Sequence, residues 1–388
     1  TPVPPTNTVS PTSRPGCTVI SPIPTPGPTQ RSLFPPVSDA DWVRGPDTAS
    51  ITIIEYSDFQ SPYCASLAPV LAQIEKDYPE EVRVVYRHYP LIGAPERPYH
   101  DKAALAMQAS EAAGVQGKFW EMHDLLFERQ SEWANLAVDQ FQNWLVARSG
   151  ELGLEQSRFE ADLTSEANAA RAQKAYDEAR SIGIPGTPFL LVNGQIWPQD
   201  VPLSLANLNS VIKLTMLEKR QFTSCPQMEI DPEKQYTATL HTNKGDIVIE
   251  LYPDKAPLAV NSFVFLARRG WFDGVIFHRV LPGFVAQAGD PTGTGFGGPG
   301  YAFDNEIAPD LKYDSAGVVG MANSGPGSNG SQFFITYAPA PQLDGSYTIF
   351  GRVIAGMDVV QSLTPRDPTQ SGELPSGDRI EQVTIEER

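Results

Sequence analysis

The stretch Phe277-His278-Arg279-Val280-Leu281-Pro282-Gly283-Phe284-Val285-Ala286-Gln287-Ala288-Gly289-Asp290 decides how the second half of the chain is read. Alternation across Gly283–Gln287 sends Phe284 and Ala286 to one face of a strand and Val285 and Gln287 to the other. Upstream, Thr237–Leu251 (TATLHTNKGDIVIEL) reads as a hairpin folded at Asn243-Lys244-Gly245, and Pro257–Arg269 as an amphipathic helix. Downstream, short strands and Gly-rich loops continue to the end. Many strands with only two helices predict a closed β-barrel over residues 235–388. No internal repeat is present.

Three further motifs follow in order: Met321-Ala322-Asn323-Ser324-Gly325-Pro326, Gly330-Ser331-Gln332-Phe333-Phe334-Ile335-Thr336, and Leu343-Asp344-Gly345-Ser346-Tyr347-Thr348-Ile349-Phe350-Gly351. Together with Phe277–Asp290 they resemble the signature of the cyclophilin family over about the last 150 residues. Four linked motifs in the right order and spacing make the resemblance highly specific. It implies peptidyl-prolyl cis/trans isomerase activity with no cofactor and no metal.

The chemistry fits so sparse a site. An X-Pro amide rotates over a barrier of about 18–20 kcal/mol, because its C–N bond has partial double-bond character. When the amide twists, resonance is lost and the prolyl nitrogen gains a free lone pair. A fixed donor aimed at that nitrogen helps only in the twisted state, which is what raises a rate. Arg279 is the expected donor, since a guanidinium is always charged, planar and rich in N–H groups. By resemblance, the proline ring enters an apolar pocket formed by Phe284, Val285, Phe334 and Leu343, with Ala322, Gln332 and Tyr347 beside it. Gln287 and Asn323 are expected to hydrogen-bond the client backbone on either side of the proline. Taken singly, each apolar position reads equally as ordinary core. Two positions depart from the best-known cyclophilins: Gln342 stands where they carry Trp, and Tyr347 where they carry His. The Trp is associated with cyclosporin binding, so weak cyclosporin inhibition is expected. The Tyr keeps a ring and a hydroxyl, so activity is expected to persist.

The first half has a different character. Ile51–Phe59 (ITIIEYSDF) and Val82–Tyr89 (VRVVYRHY) read as buried strands, with a helix between them to about Tyr78. Several Ala-rich helices are expected from Pro98 to about Arg180. Phe189–Trp197 reads as two strands around Asn193-Gly194, and a last helix runs from about Leu203 to Lys219. Ser57–Cys64 (SDFQSPYC), Gln116–Asp124 (QGKFWEMHD) and Gly186–Phe189 (GTPF) resemble segments of DsbA-like thioredoxin-fold proteins over about residues 50–220. The resemblance implies an α/β thioredoxin-like fold with a helical insertion. It also implies a loop, Thr187-Pro188, holding a cis-proline opposite the active site. That family carries Cys-Pro-Tyr-Cys, and here the first Cys is Ser61. The missing sulfur is the attacking one, activated at a helix N-terminus. A hydroxyl cannot exchange disulfides, so Cys64 alone leaves a degenerate redox site. Three readings stay open: a redox-dead module that grips client chains, a spacer, or an oxidoreductase inactivated by a Cys-to-Ser change at Ser61.

The domain boundaries expected are 1–40, 41–220, 221–234 and 235–388. Residues 1–40 hold 11 of the 36 prolines, mixed with Ser and Thr, and read as a disordered tether or a floppy terminus. Residues 221–234 read as a linker. The first residue is Thr1 rather than Met, which suggests a trimmed product and an extracytoplasmic setting, in the bacterial cell envelope or secreted, with the option of an anchor upstream. The cysteines are Cys17, Cys64 and Cys225. An oxidising compartment permits Cys17 and Cys225 to pair, a bond that the chain-entropy estimate values at roughly 4–5 kcal/mol. The formal charge of −17 disfavours nucleic acid as a partner. No apolar run is long enough to span a bilayer. The five histidines form no HExxH spacing, so no metal site is readable. The expected partners are proline-containing polypeptide clients. The competing class is a peptide-binding scaffold in which isomerisation is incidental. Nothing in the sequence sets the oligomeric state.

Overall fold

A computed structural model describes residues 16–20, 33–93, 99–370 and 374–388. Residues 16–20, which hold strand β1 (Cys17–Val19), group with Lys213–Arg388 in one compact unit; residues 33–93 and 99–212 form the other.

The thioredoxin-like unit is built on a five-stranded sheet: β2 (Trp42–Arg44), β3 (Ile51–Ser57), β4 (Val82–His88), β5 (Phe189–Val192) and β6 (Gln195–Ile196), in the order β2-β4-β3-β5-β6. β3 and β4 pair in parallel, with Ile51 opposite Val82 and Ser57 opposite His88. β3 is central and covered on both faces, which is why ITIIEYS is almost uninterruptedly buried rather than alternating. Asn193 and Gly194 both take positive φ, the requirement of the tight turn joining β5 to β6. Helix α1 (Pro62–Asp77) follows β3. Between β4 and β5 stand α2 (Ala103–Gly114), α3 (Phe119–Glu128), α4 (Gln130–Trp133), α5 (Val138–Ser149), α6 (Gln156–Leu163) and α7 (Glu166–Ser181). They bury Phe119, Met122, Leu126, Trp133 and Phe141 against Phe59 and Tyr86.

Helix α8 (Leu205–Leu217) leads on to the second unit. There an eight-stranded antiparallel sheet contains β7 (Tyr236–Thr242), β8 (Gly245–Leu251), β9 (Arg279–Leu281), β10 (Val285–Ala288), β12 (Val318–Met321), β13 (Phe333–Thr336), β14 (Ile349–Ala355) and β15 (Ile380–Glu387). Helix α9 (Pro257–Arg268) packs Val260, Phe263, Val264 and Leu266 into the core. Its first turn has no side-chain cap of its own; the carboxylate of Glu306 accepts from the Leu258 and Ala259 amides, each at 2.9 Å.

The order β15-β7-β8-β14-β12-β13-β10-β9 corrects the expected closed barrel. Among the described residues the outermost strands, β15 and β9, share no ladder. The gap is crossed by two single bridges, Ile276 to Arg379 and Val280 to Arg366. The sheet is a curled half-barrel. β9 has only three residues, and on its outer edge Val280 alone makes a bridge among the described residues.

The outer boundaries also shift. Within the stretch read as a tether, β1 pairs antiparallel with β11 (Tyr301–Phe303), and Cys17 is bonded to Cys225. Further along, Phe34 stacks on Phe189 with ring centres 5.7 Å apart, and Arg87 donates to the Pro35 and Pro36 carbonyls. The rest of the tether, residues 1–15 and 21–32, lies outside the described residues. Residues read as a linker are partly core: Cys225 and Ile230 are buried with the strands of the second unit. Burial of these few apolar side chains outweighs the turn-like composition around them.

Candidate active site

β9 and β10 are joined by a tight turn in which the Phe284 amide donates to the Leu281 carbonyl at 2.9 Å. Pro282 supplies its fixed φ and Gly283 its positive φ of 81°. The turn sets the register that builds the site. Arg279 pairs with Gln287, Gln287 with Phe334, and Phe334 with Gly320. Cross-strand partners point to the same face, so these four residues form one row across four strands. The opposite face of the same strands carries Val280, Ala286, Ala288, Phe333 and Ile335 into the main core.

Phe284 does not obey the alternation read from the sequence. It precedes β10, inside the turn, and joins Val285 in the same apolar cluster instead of facing away from it. That cluster also contains Phe334, with Ala322, Leu343 and Tyr347 packed at its border. The sequence did not single out Tyr313 or Gly320, and both support the recess. The buried Tyr313 ring stacks on Phe334 with centres 5.6 Å apart, and Tyr347 meets Phe334 edge-on at 5.8 Å. Gly320 makes this packing possible: a Cβ there would clash with the Tyr313 hydroxyl and lie 2.8 Å from Phe334 Cζ. A glycine inside a buried strand was the available signal; nothing in the spacing marked Tyr313.

Arg279 is half-buried at the edge of the recess, its guanidinium carbon 5.9 Å from the centre of the Phe284 ring. Among the described residues no carboxylate lies within ion-pairing distance of it. Its neighbour His278 is buried with neither ring nitrogen hydrogen-bonded among the described residues, and burial pushes its pKa down to about 4.

The polar residues are more occupied than expected. Gln287 Nε2 donates to Gln332 Oε1 at 2.9 Å, and Gln332 Nε2 donates to the Gly295 and Gly297 carbonyls. Asn323 Nδ2 donates to Asn329 Oδ1 at 3.0 Å, and its Oδ1 accepts from the Gly325 amide. Gln332 and Asn323 therefore brace loops through their side chains. Gln342 is exposed.

In the thioredoxin-like unit, Ser61 is the N-cap of α1: its hydroxyl accepts from the Cys64 amide at 3.4 Å, and Pro62 occupies the first turn. Cys64 is buried and its thiol is pushed up to about 12, chiefly by burial and then by the Glu55 carboxylate. Glu55 itself, fully buried, is raised to about 7 by burial. The Thr187–Pro188 bond is cis, and Pro188 lines a cleft of about 350 Å³ with Leu67, Leu190, Trp197 and the 74% exposed Tyr63.

Residues 237–386 match the family "Cyclophilin type peptidyl-prolyl cis-trans isomerase/CLD", and residues 38–213 match the family "Thioredoxin". Peptidyl-prolyl cis-trans isomerase ppi1 of Schizosaccharomyces pombe is 55% identical over 127 residues, which is 32% of this chain and 82% of the yeast protein. Peptidyl-prolyl cis-trans isomerase CYP18-1 of Arabidopsis thaliana is 48% identical over 153 residues, 38% of this chain and 95% of the plant protein. No helix among the described residues is long and apolar enough to cross a membrane. The four-strand row, the apolar recess and these likenesses converge: the chain belongs to the cyclophilin-type peptidyl-prolyl cis-trans isomerases, carrying a thioredoxin-like unit ahead of the isomerase motifs.

Proposed function

We propose that Arg279 is the catalytic residue, acting on prolyl bonds of secreted or envelope proteins, while the thioredoxin-like unit holds the client chain. The observation that carries the first part is the half-buried guanidinium, without an ion-pair partner among the described residues, beside an apolar recess. The recess takes the proline ring against Phe334, Val285, Phe284 and Leu343. Arg279 donates to the prolyl nitrogen as the amide twists, and has no comparable acceptor there while the amide is planar. Gln287 keeps its Oε1 for the client backbone. The test is a protease-coupled prolyl-peptide assay on wild type and Arg279→Ala, alongside peptide binding. A large loss of rate with binding roughly retained is expected. Equal rates in the two proteins would leave isomerisation incidental and favour a pure binding scaffold.

The Cys17–Cys225 bond supports an extracytoplasmic setting, because disulfides persist in oxidising compartments. The cleft at Pro188, with Tyr63 standing exposed at its edge, supports client binding by a DsbA-like unit that has lost its dithiol. Restoring Ser61→Cys places a sulfur at the α1 N-terminus, where the helix dipole favours thiolate. The restored chain is expected to reduce insulin; an inert dithiol would remove most of the support for an inherited client groove.

A further inference from the structure

The row that begins at Gly320 does not end at Arg279. On the outer edge of β9 the Val280 amide donates to the Arg366 carbonyl at 2.7 Å, and the Arg366 amide donates back to the Val280 carbonyl at 2.9 Å. The bridge is antiparallel, so the position across from Arg279 is Asp367. Cross-strand partners share a face. Asp367 therefore extends the row beyond Arg279, on the side away from Gln287 and Phe334. Arg366, one residue back, belongs to the other face. Its Nη1 donates to the His278 carbonyl at 2.9 Å and its Nε to the Pro375 carbonyl at 3.1 Å. Those bonds and the bridge fix the segment against β9.

Asp367 is half-buried, and its carboxylate is held by its own turn. Oδ1 accepts from the Thr369 hydroxyl at 2.6 Å and from the Thr369 amide at 3.0 Å. Oδ2 accepts only from Gln370 Nε2, at 3.3 Å, and so keeps acceptor capacity. The Thr369 hydroxyl and amide, then Gln370 and the Arg279 charge, hold the carboxyl below its ordinary value, so it is ionised at neutral pH. Its hydrogen-bond partners are all neutral, and among the described residues no cation stands within ion-pairing distance of it. A fixed negative charge thus closes the row at the rim, one strand outside Arg279.

We infer that Asp367 is a specificity-determining residue of the isomerase, favouring clients with Lys or Arg at one position flanking the proline, on the side of the recess remote from Gln287. Oδ2 takes the cation, and the turn at Thr369 keeps the carboxylate aimed. The inference rests on the reading that the proline enters the recess beside Arg279. The charge of the whole chain, −17, attracts any cationic peptide, but that attraction is indifferent to where in the peptide the cation sits. A preference for one position is what Asp367 adds.

The test uses the full chain and a set of prolyl peptides in which a single Lys, Glu or Ala is moved through the positions on both sides of the proline. In wild type, Lys at one position is expected to lower KM about two- to fivefold relative to Ala there, the scale of an exposed ion pair, with Glu raising it. The effect should shrink as salt rises from roughly 0.02 to 0.5 M. Asp367→Asn keeps an oxygen for Thr369, and with it the turn, but removes the charge. The Lys-to-Ala ratio at that position should approach one in Asp367→Asn and invert in Asp367→Lys, with thermal unfolding confirming that both variants are folded. A Lys preference equal at every position, one insensitive to salt, or one that survives Asp367→Asn overturns the inference and leaves the proline-recess reading standing. Failure of wild type to turn over the all-Ala peptide would strike that reading, and the inference with it.

Discussion

Arg279 and Phe284 face one another across the turn that joins β9 to β10, the guanidinium carbon 5.9 Å from the ring centre. The ring holds the cation at the recess without neutralising it. Arg279→Lys keeps the charge but loses the planar fork, so its kcat/KM is expected to fall between wild type and Arg279→Ala. The alanine variant should lose roughly 10²–10³-fold, the scale of removing one transition-state donor. A lysine variant as fast as wild type would show that charge alone suffices.

Gly320→Ala tests the recess from behind. The added methyl has no room beside the Tyr313 hydroxyl and Phe334 Cζ. Overpacking of this kind costs about 1–3 kcal/mol. Unfolding of the isomerase unit in urea should shift accordingly, with kcat/KM reduced even where the variant is fully folded. A variant with unchanged stability and rate would show that Phe334 is not held by this contact.

Two buried groups, one in each unit, should contribute to stability with opposite dependence on pH. Burial lowers His278 from 6.5 to about 4, so it is neutral when folded and charged when unfolded through that window. The unfolded state then binds more protons, and its contribution to the stability of the isomerase unit rises from pH 4 to 6.5. Glu55 is raised from 4.5 to about 7, so the folded state binds the extra proton. Its contribution to the thioredoxin-like unit falls as pH rises from 4.5 to 7. Each amounts to about 3 kcal/mol at full extent. Thermal unfolding at several pH values, with Glu55→Gln and His278→Gln as controls, should show each slope flatten in its own variant. Unaltered slopes would remove both assignments.

Thiol counting should separate the three cysteines by state. Native protein is expected to yield no reactive thiol, because Cys64 is buried and raised to about 12. Denatured protein should yield one, and denatured, reduced protein three. Three thiols without reductant would exclude the Cys17–Cys225 bond in the isolated protein.

The parts of the site legible in the sequence were those carried by local pattern. Arg279, Gln287 and Phe334 sit on strands whose motifs were intact, and pairing brings them together as one row, with Val285 two residues from Gln287 along β10. The face of Phe284 was misread because alternation holds only within a strand, and Gly283 ends it. Counting strands could not tell whether the two edge strands, β9 and β15, meet, so the half-barrel looked like a closed barrel. β1 was illegible for a simpler reason. Three residues, Cys17-Thr18-Val19, cannot display a period, and their partners Tyr301–Phe303 lie far along the chain. Asn323 and Gln332 belong to the expected motifs, yet their amides serve loops whose shape no spacing reveals.

The bond from Cys17 to Cys225 spans 208 positions, and the whole thioredoxin-like sheet lies between its ends. When the molecule is stretched by its two ends, tension runs through the sulfur atoms and passes from the first residues straight into the isomerase core. Everything in between is a slack side loop, shielded from load until that bond is cut.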